Sequence, residues 1–220
     1  LGTEDSFQNE SLADVIREKS MKGFYFITDA NLSLAGNRSD IRAAVKAGAS
    51  IIQYRRKDGT TASLYKEAME LKSLCGHAKF IVNDRVDIAL AVDADGVHIG
   101  RDDLPVRIVR HLLGPDKIIG VTVRDLQEAV QAEEEGADYL GVGPVYRTST
   151  KKDAGPPSGI QLIREVRNAC TLPVIAIGGI TLANASEVIK AGADMICAVS
   201  ATVAEPDVEK AVSDFQRLFT

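Results

Sequence analysis

Eight short apolar runs recur along the chain, and this alternation constrains the fold more than any other feature. The runs cover 24–28, 50–54, 79–83, 95–99, 118–122, 138–142, 173–178 and 195–200. They are rich in β-branched residues, bounded by turn residues and mostly free of polar alternation. Such runs are the pattern of parallel strands covered on both faces. Parallel neighbours need a crossover. Segments of helical length lie between most of the runs, as at 39–47, 63–75, 126–135 and 183–190.

A small repeat marks the joints. Ala47-Gly48-Ala49-Ser50, Gly136-Ala137-Asp138 and Ala191-Gly192-Ala193-Asp194 each close a helix and open a strand. Glycine suits the position after a helix, where the chain commonly turns left-handed and a Cβ would clash. A doubly wound open sheet would carry the same joints. Eight units within 220 residues favour closure instead. The expected fold is therefore α/β: a single (β/α)8 TIM-type barrel over 23–220, preceded by an N-terminal helical extension over 1–22. In that leader Ser11 and Asp14 have the spacing of a helix N-terminus, ahead of Val15 and Ile16.

Composition narrows the partners. A formal net charge of −5 disfavours a polyanion such as nucleic acid, although a local cluster of Arg and Lys can still hold a small anion. Cys75, Cys170 and Cys197 show no CxxC spacing and read as packing residues of a reducing compartment. No apolar run reaches the roughly 20 residues of a membrane span, and the N-terminus has no signal-peptide pattern. A cytoplasmic protein acting on small molecules is expected, with no nucleic acid and no membrane. A homo-oligomer stays open.

The residues that end the runs carry the chemistry. In a parallel barrel the loops after the strands share one rim, where reactive groups gather. In order the ends read Thr28-Asp29, Gln53-Tyr54-Arg55-Arg56-Lys57, Asn83-Asp84-Arg85, Gly100-Arg101-Asp102-Asp103, Thr122, the stretch 144–152, Gly178-Gly179 and Val199-Ser200. Gly178-Gly179 and Val199-Ser200 follow the seventh and eighth runs, a place where backbone N–H groups and a helix N-terminus can hold phosphate. Asp84 and Asp103 end neighbouring runs and form a carboxylate pair suited to Mg²⁺, a hard ion that keeps waters and shares itself with substrate phosphates. Without accompanying His or Cys they do not suit zinc. Arg55, Lys57 and Lys151 supply cations, and Arg56 is expected to point away. His77, His98 and His111 read as ordinary strand or surface residues. No Ser-His-Asp, Cys-His or HExxH pattern supports covalent hydrolysis.

At these residues the chain resembles the thiamine phosphate synthase family, from Phe24 to Phe219. The resemblance rests on several separated motifs in order: Gln53-Tyr54-Arg55-Arg56-Lys57, Val82-Asn83-Asp84-Arg85-Val86-Asp87, and Asp95-Gly96-Val97-His98-Ile99-Gly100-Arg101-Asp102-Asp103. Gly141-Val142-Gly143-Pro144-Val145-Tyr146 follows, then Thr148-Ser149-Thr150-Lys151 and Ala176-Ile177-Gly178-Gly179-Ile180. It implies an enzyme that condenses hydroxymethylpyrimidine diphosphate with hydroxyethylthiazole phosphate. Gln53, Arg55, Lys57 and Asn83 would hold the pyrimidine diphosphate. Asp84 and Asp103 would bind Mg²⁺, and Thr122 and Lys151 would face the diphosphate. Thr148 and Thr150 would contact the thiazole phosphate, with Gly179, Val199 and Ser200 around its phosphoryl group. Arg56 stands where the family often has an acidic residue, and Arg101 where it often has Gln.

The implied chemistry is a substantially dissociative, Mg-assisted substitution in which Arg55, Lys57, Thr122 and Lys151 serve the departing charge. Two alternatives share the barrel. A thiazole tautomerase uses a histidine just after the fifth strand, where this chain has Val123-Arg124. A non-catalytic phosphate-ligand sensor would need no metal. The Gly- and Pro-containing loop 151–159 is a candidate lid.

Overall fold

Every apolar run becomes a strand: β1 (Gly23–Ile27), β2 (Ile51–Tyr54), β3 (Lys79–Asn83), β4 (Gly96–Ile99), β5 (Ile118–Val123), β6 (Tyr139–Val142), β7 (Val174–Ile177) and β8 (Met195–Cys197). The computed structural model describes residues 21–150 and 154–220. The expected helix in 1–20 lies outside them, as do Lys151, Lys152 and Asp153. All eight strands pair in parallel and in chain order, and β8 returns to β1 through Gly23↔Met195 and Phe24↔Ile196. The chain therefore forms a closed (β/α)8 barrel.

Helices α1 (Asn37–Lys46), α2 (Thr61–Lys72), α3 (Val86–Ala91), α4 (Val106–Leu113), α5 (Leu126–Glu134), α6 (Gly159–Ala169) and α7 (Leu182–Lys190) form the crossovers. The short α8 (Ser200–Val203) and then α9 (Val208–Gln216) follow β8. Each long helix turns an apolar stripe inward; α7, for example, buries Ala185 and Val188. Side chains hold several starts. Thr60 accepts from Ser63 N (3.2 Å), Asp125 from Glu128 N (2.8 Å) and Asp207 from Lys210 N (2.9 Å). The three joint glycines, Gly48, Gly136 and Gly192, all take positive φ. No helix among the described residues is long and apolar enough to cross a membrane.

The eighth run needs a correction. It was expected to stay extended to Ser200, but the strand stops at Cys197 and Ser200 opens α8. Beyond Cys197 the backbone finds helical partners: Val203 N–H donates to Val199 O (2.8 Å), and Thr202 Oγ1 donates to Ala198 O (2.9 Å).

Apolar packing divides into two parts. A shell between strands and helices includes Phe24, Phe26, Ile52, Phe80, Val97 and Ile196. The barrel interior is filled by Tyr25, Ile51, Ile81, Ile118, Tyr139, Ile175 and Met195, with Ile27 and Cys197. The rim at the strand starts is tied by one device used three times. Asp95, Asp138 and Asp194 accept the main-chain N–H of Phe80, Ile119 and Val174 across each strand pair, at 2.8 Å in every case. Lys79, Arg110 and Arg167 respectively pair with these carboxylates. The end of the barrel opposite the loops is thereby fixed as a frame.

Candidate active site

At the other end the strands release their polar residues into one cavity with two lobes. The first lobe, about 770 Å³, is walled by Thr148, Thr150, Gly178, Gly179, Val199 and Ser200 among others. The second, about 940 Å³, is walled by Gln53, Lys57, Asn83, Asp84, His98 and Asp103 among others. Ile27, Arg55, Thr122, Arg124, Ile177 and Cys197 line both, so the lobes adjoin. A concave, largely apolar wall with a few convergent polar and charged groups suits small-molecule ligands. The structure thus gathers Gln53, Arg55, Lys57, Asn83, Asp84, Asp103, Thr122, Thr148, Thr150, Gly179, Val199 and Ser200 around one cavity. Lys151 lies outside the described residues.

In the second lobe the acidic pair meets the cations. Asp84 holds φ 61°, a left-handed backbone uncommon for a residue with a side chain, and its N–H donates to His98 O at 2.8 Å. Lys57 Nζ contacts the Asp84 carboxylate. Asp103 Oδ2 accepts the Gly100 N–H at 2.7 Å. Burial, followed by the neighbouring Asp84 charge, raises the Asp103 pKa above the ordinary carboxylate value, against the lowering effect of Gly100 N–H and Lys57. Lys57 offsets part of the charge that these two carboxylates bring together. The Asn83 side-chain nitrogen is buried with no hydrogen-bond partner among the described residues, a donor facing a lobe rich in cationic groups.

Arg55 is braced on two sides. Its N–H donates to Thr28 Oγ1 at 3.0 Å, and its guanidinium to Asp29 at 3.3 Å. Arg56 turns away, as expected, and donates to Glu67 of α2 at 2.7 Å. Arg101 also finds an acidic partner, Glu128 of α5.

The first lobe is shaped by main chain. Gly178 and Gly179 have φ of 101° and 65°. A Cβ on Gly178 would lie 2.6 Å from Pro144 Cα, and one on Gly179 would lie 2.6 Å from Arg147 O. Only glycine fits both the turn and the contact. Ser200 begins α8 at the edge of this lobe, and Ala154 completes its wall. Cys197 sits beneath both lobes, its thiol pushed up by burial, while Cys75 and Cys170 are buried elsewhere as packing residues.

The reading of His98 as an ordinary strand residue misses its place. His98 lies on the inner face of β4, with Nδ1 2.9 Å from Tyr139 Oη and Nε2 2.8 Å from Thr122 Oγ1. Tyr25 and Tyr139, core residues by burial, join the same network, with their oxygens 2.7 Å apart. Inward phase on the strand was the available signal: His98 shares the parity of Gly96, Gly120 and Thr122. His77 and His111 are exposed, as expected.

The comparisons agree with the geometry. A family model described as thiamine monophosphate synthase matches residues 24–202. Thiamine-phosphate synthase of Methanosarcina barkeri is 55% identical over 193 residues, covering 87% of this chain and 88% of that protein. The enzyme of the same name from Chloroflexus aurantiacus is 50% identical over 197 residues, covering 88% and 91%. A solved structure, thiamine phosphate pyrophosphorylase from Pyrococcus furiosus, superposes with a TM-score of 0.83 at 40% identity, covering 90% of this chain and 96% of that one. A family match across the barrel, with relatives of this identity and coverage, means that the chain belongs to the thiamine monophosphate synthase family.

Proposed function

We propose that this chain condenses 4-amino-2-methyl-5-hydroxymethylpyrimidine diphosphate with 4-methyl-5-hydroxyethylthiazole phosphate, forming thiamine phosphate and pyrophosphate. The observation that carries the reading is the pair of adjoining lobes, one with Arg55, Lys57, Asn83, Asp84 and Asp103, the other with Thr148, Thr150, Gly179 and Ser200. A pyrimidine diphosphate in the second lobe and a thiazole phosphate in the first would present their reacting atoms to each other at the shared wall.

The bond from the pyrimidine methylene to the diphosphate oxygen breaks, and its electron pair leaves with pyrophosphate. The thiazole nitrogen then supplies the pair for the new carbon–nitrogen bond. Arg55, Lys57 and Lys151 face the growing negative charge, and Asn83 Nδ2 and the Thr122 hydroxyl donate to it. The crowded carboxylates fit a hard divalent cation, and Asp84 and Asp103 would hold Mg²⁺. Bound there, Mg²⁺ supplies further neutralisation of the leaving group. Gly179, Val199 and Ser200 take the thiazole phosphoryl group on main-chain N–H and hydroxyl donors, while Thr148 and Thr150 orient it. No protein nucleophile is needed.

A tautomerase reading lacks its histidine, since Val123 and Arg124 follow Thr122. A sensor reading leaves the carboxylate pair without a purpose. Substrates with this much charge do not cross a bilayer unaided, which supports a cytoplasmic setting. Mixing the two substrates with Mg²⁺ and the full chain should yield thiamine phosphate and pyrophosphate in equal amounts. Isomerised thiazole phosphate without coupling would favour the tautomerase, and binding without turnover the sensor.

A further inference from the structure

A thread of hydrogen bonds crosses the barrel beneath the cavity and joins its two substrate-facing walls. Gln53 Nε2 donates to Tyr25 Oη at 2.8 Å, and Tyr25 Oη lies 2.7 Å from Tyr139 Oη. Tyr139 Oη lies 2.9 Å from His98 Nδ1, and His98 Nε2 lies 2.8 Å from Thr122 Oγ1. The links come in turn from β2, β1, β6, β4 and β5. Two neighbouring strands give up side chains to seat it. A Cβ on Gly120 would fall 1.9 Å from Tyr139 Cζ, and one on Gly141 would fall 3.0 Å from His98 Cε1. Burial raises the pKa of both tyrosines well above the ordinary value, so each brings one proton and keeps it.

Counting protons gives the thread a direction. With Gln53 donating to Tyr25, the Tyr25 proton passes to Tyr139 and the Tyr139 proton to His98 Nδ1. His98 is then neutral with its own proton on Nε2, which it gives to Thr122 Oγ1. The Thr122 proton is left to point into the cavity. If the Gln53 amide turns over, every bond reverses, and Thr122 shows the cavity only lone pairs. An oxyanion beside Thr122 is attracted by the first arrangement and repelled by the second. At the far end, the first arrangement commits the Gln53 nitrogen inward and leaves Oε1 as an outward acceptor. The second presents the amide NH2 instead.

We infer that this thread reads both halves of one substrate together: an anion at Thr122 sets its direction, and that direction offers Gln53 Oε1 to an amino group on the substrate ring. His98 and Tyr139 are thereby positioning residues that act through Thr122 and Gln53. The inference rests on the proposed function, which seats a diphosphate at Thr122 and the pyrimidine diphosphate in the lobe that Gln53 also lines. The ligand class it selects is an aromatic ring bearing both a diphosphate arm and a hydrogen-bond donor.

Nitrogen NMR of the full chain with labelled histidine reads the His98 tautomer. With only three histidines in the sequence, His98→Asn assigns the signal by its loss. Titration with inorganic pyrophosphate and Mg²⁺ should give a neutral His98 protonated on Nε2. A proton on Nδ1, or on both nitrogens, would overturn the inference. Tyr139→Phe keeps the ring and deletes the middle link. The parent should prefer the aminopyrimidine diphosphate over the analogue with hydrogen in place of the amino group. In the variant that preference in kcat/KM should shrink about ten-fold, mainly through a higher KM for the amino substrate. An unchanged preference overturns the thread. A parent that forms no thiamine phosphate defeats the proposed function instead, while the pyrophosphate titration still decides the direction of the thread.

Discussion

Arg55 and Asp29 form an ion pair at 3.3 Å, with both side chains largely enclosed below the shared wall of the two lobes. Asp29 is itself held, since its other oxygen accepts the Asn31 N–H at 3.1 Å. The guanidinium is therefore aimed before any substrate arrives. Asp29→Asn should keep the fold and raise the KM for the pyrimidine diphosphate about ten-fold. Initial rates across substrate concentration check this, and an unchanged KM would remove Asp29 from the role.

Asp84 combines a strained backbone with a carboxylate placed for metal. Asp84→Gly relaxes φ 61° and removes repulsion with Asp103 while giving up the half-exposed Lys57 pair, so the protein should lose no stability and gain at most about 1 kcal/mol. Turnover should fall by on the order of a hundred-fold or more as the metal site is lost. Denaturant midpoints and rates measured on the same samples test the trade. A variant both weaker and active would contradict it.

Asp103 gives a dependence on pH. Its raised pKa means that the folded protein holds this proton more tightly than the unfolded chain does. Ionising Asp103 therefore costs stability; the cost is absent below the ordinary aspartate range and complete above the raised value. Without metal, Asp103→Asn should stabilise the protein at neutral pH. In the parent, Mg²⁺ must displace the proton, so its affinity should weaken as pH falls through the raised value. Calorimetry in buffers of different ionisation enthalpy would show proton release on binding, and its absence would refute the assignment.

Asp138 belongs to the frame, away from the chemistry. Its side chain is fully buried, accepts Ile119 N–H and pairs with Arg110. Asp138→Ala takes the acceptor from the Ile119 amide and the carboxylate from Arg110, whose guanidinium keeps the carbonyls of Gly114, Lys117 and Gly136, and should destabilise the fold by about 2 kcal/mol. Near-parental rates are expected well below the lowered midpoint of unfolding. Equilibrium urea unfolding measures the loss.

Lys151 follows Thr148 and Thr150 in the sequence, and its role comes from the family motif. Lys151→Ala should cut kcat by on the order of a hundred-fold or more, with little change in urea stability. Near-normal rates would sink its assignment to the leaving group.

Much of this architecture was legible because parallel strands covered on both faces leave continuous apolar runs. The run at 79–83 coincides with β3, and the others end within a few residues of their strands. The rim residues were legible because they end those runs, and the barrel brings strand ends together regardless of their separation in sequence. The eighth run misled at its end because Ala198 and Val199 are apolar in helix and strand alike. The thread was hidden for a different reason. Tyr25 and Tyr139 are 114 residues apart, and each alone reads as a packing residue. Only their shared inward phase, with Gly120 and Gly141 making room, unites them with His98.

Closure of the sheet has a consequence for how the protein is made. β1 cannot complete its pairing until Met195 and Ile196 exist, because β8 is its second neighbour. Until β8 is made, any sheet that forms has β1 as an open edge, and such an edge can accept another strand. The vulnerable interval is synthesis, and it ends when three residues, Met195–Cys197, slide into the last gap and leave no edge exposed.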